Sequence, residues 1–369
     1  MTEYRIELKP IEPYYFSGEN SVDSNNNKVL KYLMKSRELP QQTTLLGMLR
    51  KELLKAKGHY KDDYADFLEY YSDNKVEIDK LIGSCNFNGK LSDLQSFGVI
   101  KKLSPIIICD DEKNYFIPAP KNYYRVENTN KFKVYELEEL GEEKGCSRMG
   151  KLYNLKNYDP KVGLTKDYIQ ISYDSAINTF KNTGELIKKD SIFETVERVG
   201  ITKGKDGKTQ DEAYYKRKSY FLKENRSFVF FADLELDNFE RESFVNLGGN
   251  QSMFKLKITK TESDNSFQKI VKPLTSENYL TVIGEAYLDI ESILNDEETM
   301  KFGIIETIDF RTIKIEKGTS NKKIKFSKQE EKLKLIDRGS ILYTNNKLKL
   351  GSVIDSYKNL KQLGYNYYI

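Results

Sequence analysis

The sequence predicts an α+β fold, from three features. Tyr4, Ile6 and Leu8 alternate with Arg5, Glu7 and Lys9. Leu45, Leu46, Leu49 and Leu53 recur at helical spacing. Far downstream, Phe228-Val-Phe-Phe231 and the alternating Phe254, Leu256 and Ile258 supply more extended runs. Period two marks a strand with one buried face and period 3.6 a helix with one buried stripe, because side chains alternate along the one and wind around the other.

The elements follow in order. After the first strand, a polar, Asn-rich loop is expected over Ser17–Lys28, and a second polar stretch runs to Pro40. Thr43 or Thr44 is expected to cap the leucine-rich helix, since a hydroxyl there can accept from a free N–H of the first turn. Lys55, Lys57 and Gly58 end that helix, while Arg50 and Lys51 project from its other faces. A second helix is expected from Lys61, with Tyr64, Phe67 and Tyr71 as a core-facing stripe. Pro105–Cys109 and Tyr115–Ile117 read as short strands around Asp110-Asp-Glu-Lys-Asn114, acids that suit a turn better than a metal site. Tyr123–Tyr158 is polar and aperiodic and is expected to be a long insertion, part of inserted material over about residues 100–190.

Two extended runs flank Thr202-Lys-Gly-Lys-Asp-Gly-Lys208, which predicts a β-hairpin over 196–222 with a basic tip. A short helix over about Asp237–Val245 is expected to lead into Leu247-Gly-Gly-Asn250. Strand-like runs at Tyr279–Ile283, Phe310–Ile315 and Ser340–Tyr343 then precede a helical Ser352–Leu363. Strand, helix, inserted material, strand, short helix, Gly-rich loop, strand is compatible with a ferredoxin-like βαββαβ core. The expected division is an N-terminal ferredoxin-like domain over 1–260 and a C-terminal α+β domain over 261–369, the latter a second, degenerate ferredoxin-like unit.

Composition narrows the function. The chain has 369 residues, 31% charged and 38% hydrophobic, enough to bury substantial cores. Cys85, Cys109 and Cys146 are scattered and odd in number, which argues for a reducing compartment and against a disulfide framework or zinc knuckle. No apolar run is long enough to span a membrane, and Met1-Thr-Glu-Tyr-Arg leads straight into the first strand rather than a signal peptide, so a cytoplasmic protein is expected. The single histidine, His59, follows Lys57-Gly58 at a helix end, and hydrolases that use a nucleophile–base pair or metal–imidazole site need a well-placed one. Neither phosphate-binding glycine fingerprint is present. The expectation is a non-enzyme with no cofactor and no metal.

The net charge, +4, is modest, so its distribution matters more. Arg198–Lys218 holds seven Lys/Arg against three acids, so this short segment alone is net +4. A second basic run spans Lys322–Lys334, and an acidic run, Glu136–Glu143, suits a solvated loop or a partner contact.

Three blocks resemble one family. Glu38-Leu-Pro-Gln-Gln-Thr-Thr-Leu-Leu-Gly-Met-Leu-Arg50 resembles the Pro-x-x-Ser/Thr-Thr-x-x-Gly-x-x-Arg helix start of CRISPR RAMP proteins. Val196-Glu-Arg-Val-Gly-Ile201 followed by Thr209-x-x-Glu-Ala-Tyr-Tyr215 is similar to their Arg-x-Gly-Ile … Gly-x-Leu-Tyr signature, and Leu247-Gly-Gly-Asn-Gln251 to their Gly-rich loop. In order and spacing the blocks most resemble the third subunit of type III-B (Cmr) effector complexes. Two departures stand out: Pro13-Tyr-Tyr-Phe-Ser17 lacks the Arg-Asp that many relatives carry, and the Gly-rich loop lacks their Glu-Arg. The resemblance implies a RAMP-type fold and a structural subunit that binds the 5′ tag of the CRISPR RNA (crRNA). It further implies a position between the large polymerase-like subunit and the adjacent RAMP backbone subunit.

Residue chemistry selects the candidate contacts. Gln41, Thr43 and Thr44 stand at a helix start, where free N–H groups suit a phosphate oxygen, with Arg50 and Lys51 farther along. Arg198, Lys203, Lys205, Lys208, Lys216 and Arg217 bring charge, and Tyr214 and Tyr215 bring rings on which an unpaired base can stack. Gly248, Gly249 and Asn250 let main chain approach RNA closely. Two other functions fit the residues less well: a metal-independent CRISPR RNA-processing endoribonuclease, which would lack a histidine within these blocks, and a pure protein scaffold.

Overall fold

The structure is a computed structural model and describes residues 1–22, 32–83, 87–89, 93–141, 152–203, 209–223, 225–249, 251–261, 266–293, 299–310, 313–317, 324–328 and 333–369. In chain order it runs β1 (Thr2–Pro10), β2 (Phe16–Val22), β3 (Tyr32–Arg37), α1 (Gln42–Ala56), α2 (Tyr64–Asp73), α3 (Lys75–Ile82), β4 (Ile100–Leu103), β5 (Ile107–Asp110), β6 (Tyr115–Pro118), β7 (Tyr123–Arg125), β8 (Phe132–Val134), β9 (Leu137–Gly141), β10 (Leu152–Leu155), β11 (Tyr168–Asp174) and β12 (Thr179–Ile187). It continues with α4 (Lys189–Ile192), β13 (Phe193–Lys203), β14 (Thr209–Leu222), β15 (Arg226–Leu234), β16 (Arg241–Leu247), β17 (Ser252–Lys260), α5 (Phe267–Val271), β18 (Tyr279–Thr281), α6 (Ile290–Ile293), β19 (Phe302–Ile304), β20 (Thr307–Phe310), β21 (Ile313–Lys317), β22 (Ile324–Lys328), β23 (Leu333–Ile336), β24 (Ile341–Tyr343), α7 (Lys347–Asp355) and α8 (Lys358–Gln362). This is a mixed α+β protein with mostly antiparallel sheets.

The main sheet has the order β12-β11-β6-β5-β15-β1-β17-β16, with β4 also on β15. β1 sits inside it, antiparallel to β15 (Ile6 opposite Phe230) and to β17 (Ile6 opposite Ile258). One face turns Ile6, Leu8, Phe228, Phe230, Phe254 and Leu256 towards α1, whose Leu45, Leu49 and Leu53 are wholly buried against them. Burying each such side chain contributes about 1.5–3 kcal/mol. Phe310, Leu335, Leu360 and Tyr365 from the C-terminal third join the same core. The opposite face packs Val229, Phe231, Ile117 and Ile171 against Phe267 and Ile270 of α5. Cys109 is buried here, and burial pushes its thiol up to about 12.

α1 ends as its sequence suggests. Gly58 has φ +74°, its N–H bonds Lys55 O at 3.2 Å, and His59 N–H bonds Leu54 O at 2.8 Å. That is the paired closure glycine permits at a helix C-terminus. Its start differs from expectation: the N-cap is Gln41, and neither Thr43 nor Thr44 caps it with a side chain. Gln41 O accepts from Thr44 N at 2.9 Å, which places both threonines inside the first turn.

Other elements also depart from the sequence-based expectation. Asp237–Val245, expected as a short helix, is a loop and then strand β16, because Val245 and Leu247 alternate into the core and pair with β17 across the Gly-rich turn. The polar stretches between β1 and α1 form β2 and β3, which extend the hairpin sheet. Tyr123–Tyr158 carries two small hairpins, β7–β8 and β9–β10, and buries Tyr135 and Leu155 against Tyr279, Ile341 and Tyr343. The helical Ser352–Leu363 is two helices, α7 and α8, broken at Ser356–Tyr357. The Asp110 turn matches expectation: Asp110 Oδ1 accepts from Glu112 N at 3.0 Å and Asn114 N at 2.8 Å. Among the described residues no helix is long and apolar enough to cross a membrane.

Candidate nucleic-acid interface

β13 and β14 form the expected hairpin, and β14 joins β3 in parallel, giving the order β13-β14-β3-β2. Arg198 stands directly opposite Arg217 in this hairpin. Like charges facing across a ladder are destabilising, and Arg198 is exposed with no ionic partner among the described residues. Lys216 is instead neutralised by Glu197 at 2.6 Å, and that ion pair holds the carboxyl below its usual range. Lys203 pairs with Thr209 near the tip; Tyr214 and Tyr215 lie on β14 opposite Ile201 and Gly200. Lys205, Lys208 and Asn250 lie outside the described residues.

Arg217 leads to the Gly-rich loop through Tyr15, a residue that sequence alone does not single out. Its guanidinium lies over the Tyr15 ring, 5.7 Å from the centroid. The Tyr15 carbonyl accepts from Gly249 N–H at 3.1 Å. Gly248 has φ +81°, and a Cβ there would lie 2.4 Å from that same carbonyl oxygen. Tyr15 is 5% exposed; burial pushes its hydroxyl up, against the opposing pull of Arg217. Tyr15 Oη and Arg217 Nε are both buried without a hydrogen-bond partner among the described residues. Tyr15 thus joins the loop after β1, the hairpin and the Gly-rich turn. The only signal in the sequence is the aromatic run Tyr14-Tyr15-Phe16 in the segment that lacks the family's Arg-Asp.

The start of α1 is engaged from another direction. Gln42 is wholly buried and donates from Nε2 to Ser104 O at 2.7 Å, while Thr43 N–H meets the Tyr365 hydroxyl at 3.4 Å. Arg50 lies 5.4 Å from the Phe97 ring centre, and Lys51 Nζ 5.1 Å from that of Tyr60. The described geometry therefore gathers Arg217, Gly248 and Gly249 around Tyr15, with Arg198 opposite Arg217 on the hairpin, while Gln41, Thr43, Thr44, Arg50 and Lys51 make other contacts along α1. His59 faces Tyr70 Oη at 3.0 Å from Nδ1, beyond the C-terminal end of α1. Among the described residues no three His, Cys, Asp or Glu side chains gather to hold a metal ion.

Comparison with known proteins gives this arrangement a class. A family model described as CRISPR-associated protein (Cas_Cmr3) matches residues 24–288, a span that contains all three sequence blocks. The chain belongs to this family, and with it to the subunits of type III-B (Cmr) effector complexes. It is similar in fold to a chain of the cryo-EM structure of the type III-B Cmr-beta bound to cognate target RNA, at TM-score 0.53 and 15% identity, over 99% of this chain and 96% of that one. A chain from the same complex bound to target RNA and AMPPnP gives TM-score 0.49 and 15% identity over the same shares. No curated protein matches the sequence.

Proposed function

We propose that this chain is a non-catalytic, guide-binding subunit that holds the 5′ tag of the crRNA. It bridges the large polymerase-like subunit to the adjacent RAMP backbone subunit, on a modified ferredoxin-like fold of the RAMP type. The observation that carries the reading is the meeting of Arg217, Tyr15 and the Gly248–Gly249 turn, with Arg198, which has no ionic partner among the described residues, opposite Arg217. A guanidinium serves phosphate oxygens bidentately, and glycines let a sugar–phosphate chain approach main chain closely. Like charges left facing each other across the hairpin are costly in the free chain and suit a polyanion that neutralises both. The lone histidine is turned to Tyr70 rather than to this meeting point, which favours binding over acid–base chemistry.

The test is the assembled complex carrying Arg198→Glu and Arg217→Glu, with crosslinks mapped along the guide. Guide retention is expected to fall, and the slope of log affinity against log salt to flatten by about 0.7 for each phosphate that is no longer neutralised. Unchanged retention and an unchanged 5′-tag crosslink would sink the assignment. Intact assembly with no guide crosslink from the wild-type chain would make it a scaffold.

A further inference from the structure

The second face of the main sheet is only partly covered. α5 packs on Val229, Phe231, Ile117 and Ile171. On β16 and β17 the same face is open: Phe244 is 61% exposed and Met253 43%. Their strand neighbours Val245 and Phe254 are buried in the core with α1, so alternation turns Phe244 and Met253 the other way. Phe244 lies opposite Lys255, and Lys255 opposite Lys9 of β1, which makes one transverse row. The row nearer the Gly248–Gly249 turn sets Asn246 opposite Met253, whose carbonyl accepts from the N–H of Ile11 at 3.0 Å. Ile11 is itself 49% exposed. The row farther from the turn sets Lys257 between Glu242 and Glu7. Exposed apolar side chains scattered singly need no explanation; three grouped at one end of a bare sheet mark a contact surface.

The charges here are banded, not in surplus. Glu242 is shared by Lys255 at 3.3 Å and Lys257 at 3.6 Å, and Lys9 has Asp111 at 3.9 Å. Glu7 is held by Arg5 at 2.6 Å, and Glu12 accepts from the N–H of Met253 at 2.8 Å. In the row that carries the ring, however, two ammoniums face each other across the ladder, an unfavourable pairing. The side chains of Lys255 and Lys9 are 51% and 45% exposed, so water screens their carboxylate partners and a phosphate can replace them. The acids of the farther row keep a polyanion from spreading over the rest of the sheet. A protein partner would have to dehydrate these ion pairs. A single strand need not, since a flat base covers the ring while its phosphates stay in water beside the lysines. We propose that this open end of the sheet continues the guide's track from the Gly248–Gly249 turn, with an unpaired base stacked on Phe244 and the flanking phosphates at Lys255 and Lys9. Phe244 and Gly248 are joined by about 13 Å of strand, a reach of a few nucleotides. The inference rests on the guide lying at that turn, and adds a stacking subsite to it.

The test is the assembled complex with a photoreactive 5-iodouridine at successive positions of the guide's 5′ tag or of the target strand. Ultraviolet crosslinks are mapped on wild type, Phe244→Leu and Phe244→Tyr. A crosslink at Phe244 is expected from a guide position within a few nucleotides of the one that crosslinks to the hairpin or the glycine turn. F244L keeps an apolar side chain at an exposed position, so its melting temperature should match wild type. It is expected to lose the crosslink and to weaken guide affinity roughly 5- to 100-fold, and F244Y to restore both. Lys255→Gln should flatten the slope of log affinity against log salt by about 0.7. Guide crosslinks at the hairpin and turn, with none at Phe244 and an F244L affinity equal to wild type, would overturn this inference and leave the proposed function standing. No guide crosslink at any of the three would overturn both. A Phe244 crosslink from the target strand alone, or an F244L complex that keeps its guide and sheds a neighbouring subunit, would also overturn the guide track.

Discussion

Replacing Gly248 by alanine should loosen the junction at Tyr15, and the structure gives the size of the effect. At φ +81° an L-residue costs about 1–2 kcal/mol. The new Cβ would lie 2.4 Å from the Tyr15 carbonyl oxygen, a backbone atom that cannot rotate aside. Relief requires the two loops to part, which breaks the 3.1 Å Gly249-to-Tyr15 hydrogen bond, worth about 1 kcal/mol. The total is about 2–3 kcal/mol. At about 2.1 cal/mol/K of unfolding entropy per residue, this lowers the melting temperature by roughly 3–4 °C for a chain of this length. Gly249→Ala is the internal control, since its Cβ meets only the Tyr15 ring, at 3.5 Å from Cδ1, an ordinary contact at a backbone angle open to alanine. Thermal melts of both variants decide the matter. A G248A melt that overlays wild type, or a G249A melt that falls as far, would refute the reasoning.

Arg198→Glu alone should turn a like-charge pair into an opposite one, raising stability of the free chain by about 0.2–1 kcal/mol while weakening guide retention; urea unfolding and pull-down measure the two separately. Glu52→Ala should cost about 3 kcal/mol by urea midpoint, because the wholly buried carboxylate answers Lys55 at 3.0 Å and Arg241 at 3.3 Å, tying α1 to β16. Glu3→Gln should stabilise the chain above about pH 6 and make no difference well below the usual carboxylate range. Burial, aided by Asp233 opposite, raises the Glu3 pKa to about 6, so its folded form holds a proton the unfolded form has lost; that favourable share disappears as pH rises through 6. Melting curves of wild type and variant across that range check the sign.

The elements that sequence made legible are those whose pattern and surroundings agree. β1, β15, β17 and the buried face of α1 carry periods that burial alone would produce, and the core around Phe228 and Leu49 is visible in the pattern itself. The hairpin is visible because turn residues separate two β-rich runs. β16 is not: Asp237, Glu240 and Glu242 look helical locally, and only the neighbouring β17, unseen by a local window, makes a strand of them. β2 and β3 are hidden for a related reason, since backbone pairing with β14 draws polar sequence into a sheet without an apolar alternation. Of the candidate site, the charges of the hairpin and the two glycines are legible. Tyr15 is not, because its role comes from three segments meeting in space, and nothing local distinguishes it from Tyr14, which packs into the core.

The place of β1 inside the main sheet also governs when this protein can fold on the ribosome. Leu8 pairs with Phe228 on one side and Leu256 on the other. At about 5–20 residues per second the first strand waits roughly 10–45 s for a partner. Through that interval Tyr4, Ile6 and Leu8 form a ready-made sticky segment, and pairing over such sequence distances is intrinsically slow. Yield in a cell therefore depends on chaperone capacity and translation speed as much as on the stability of the finished fold.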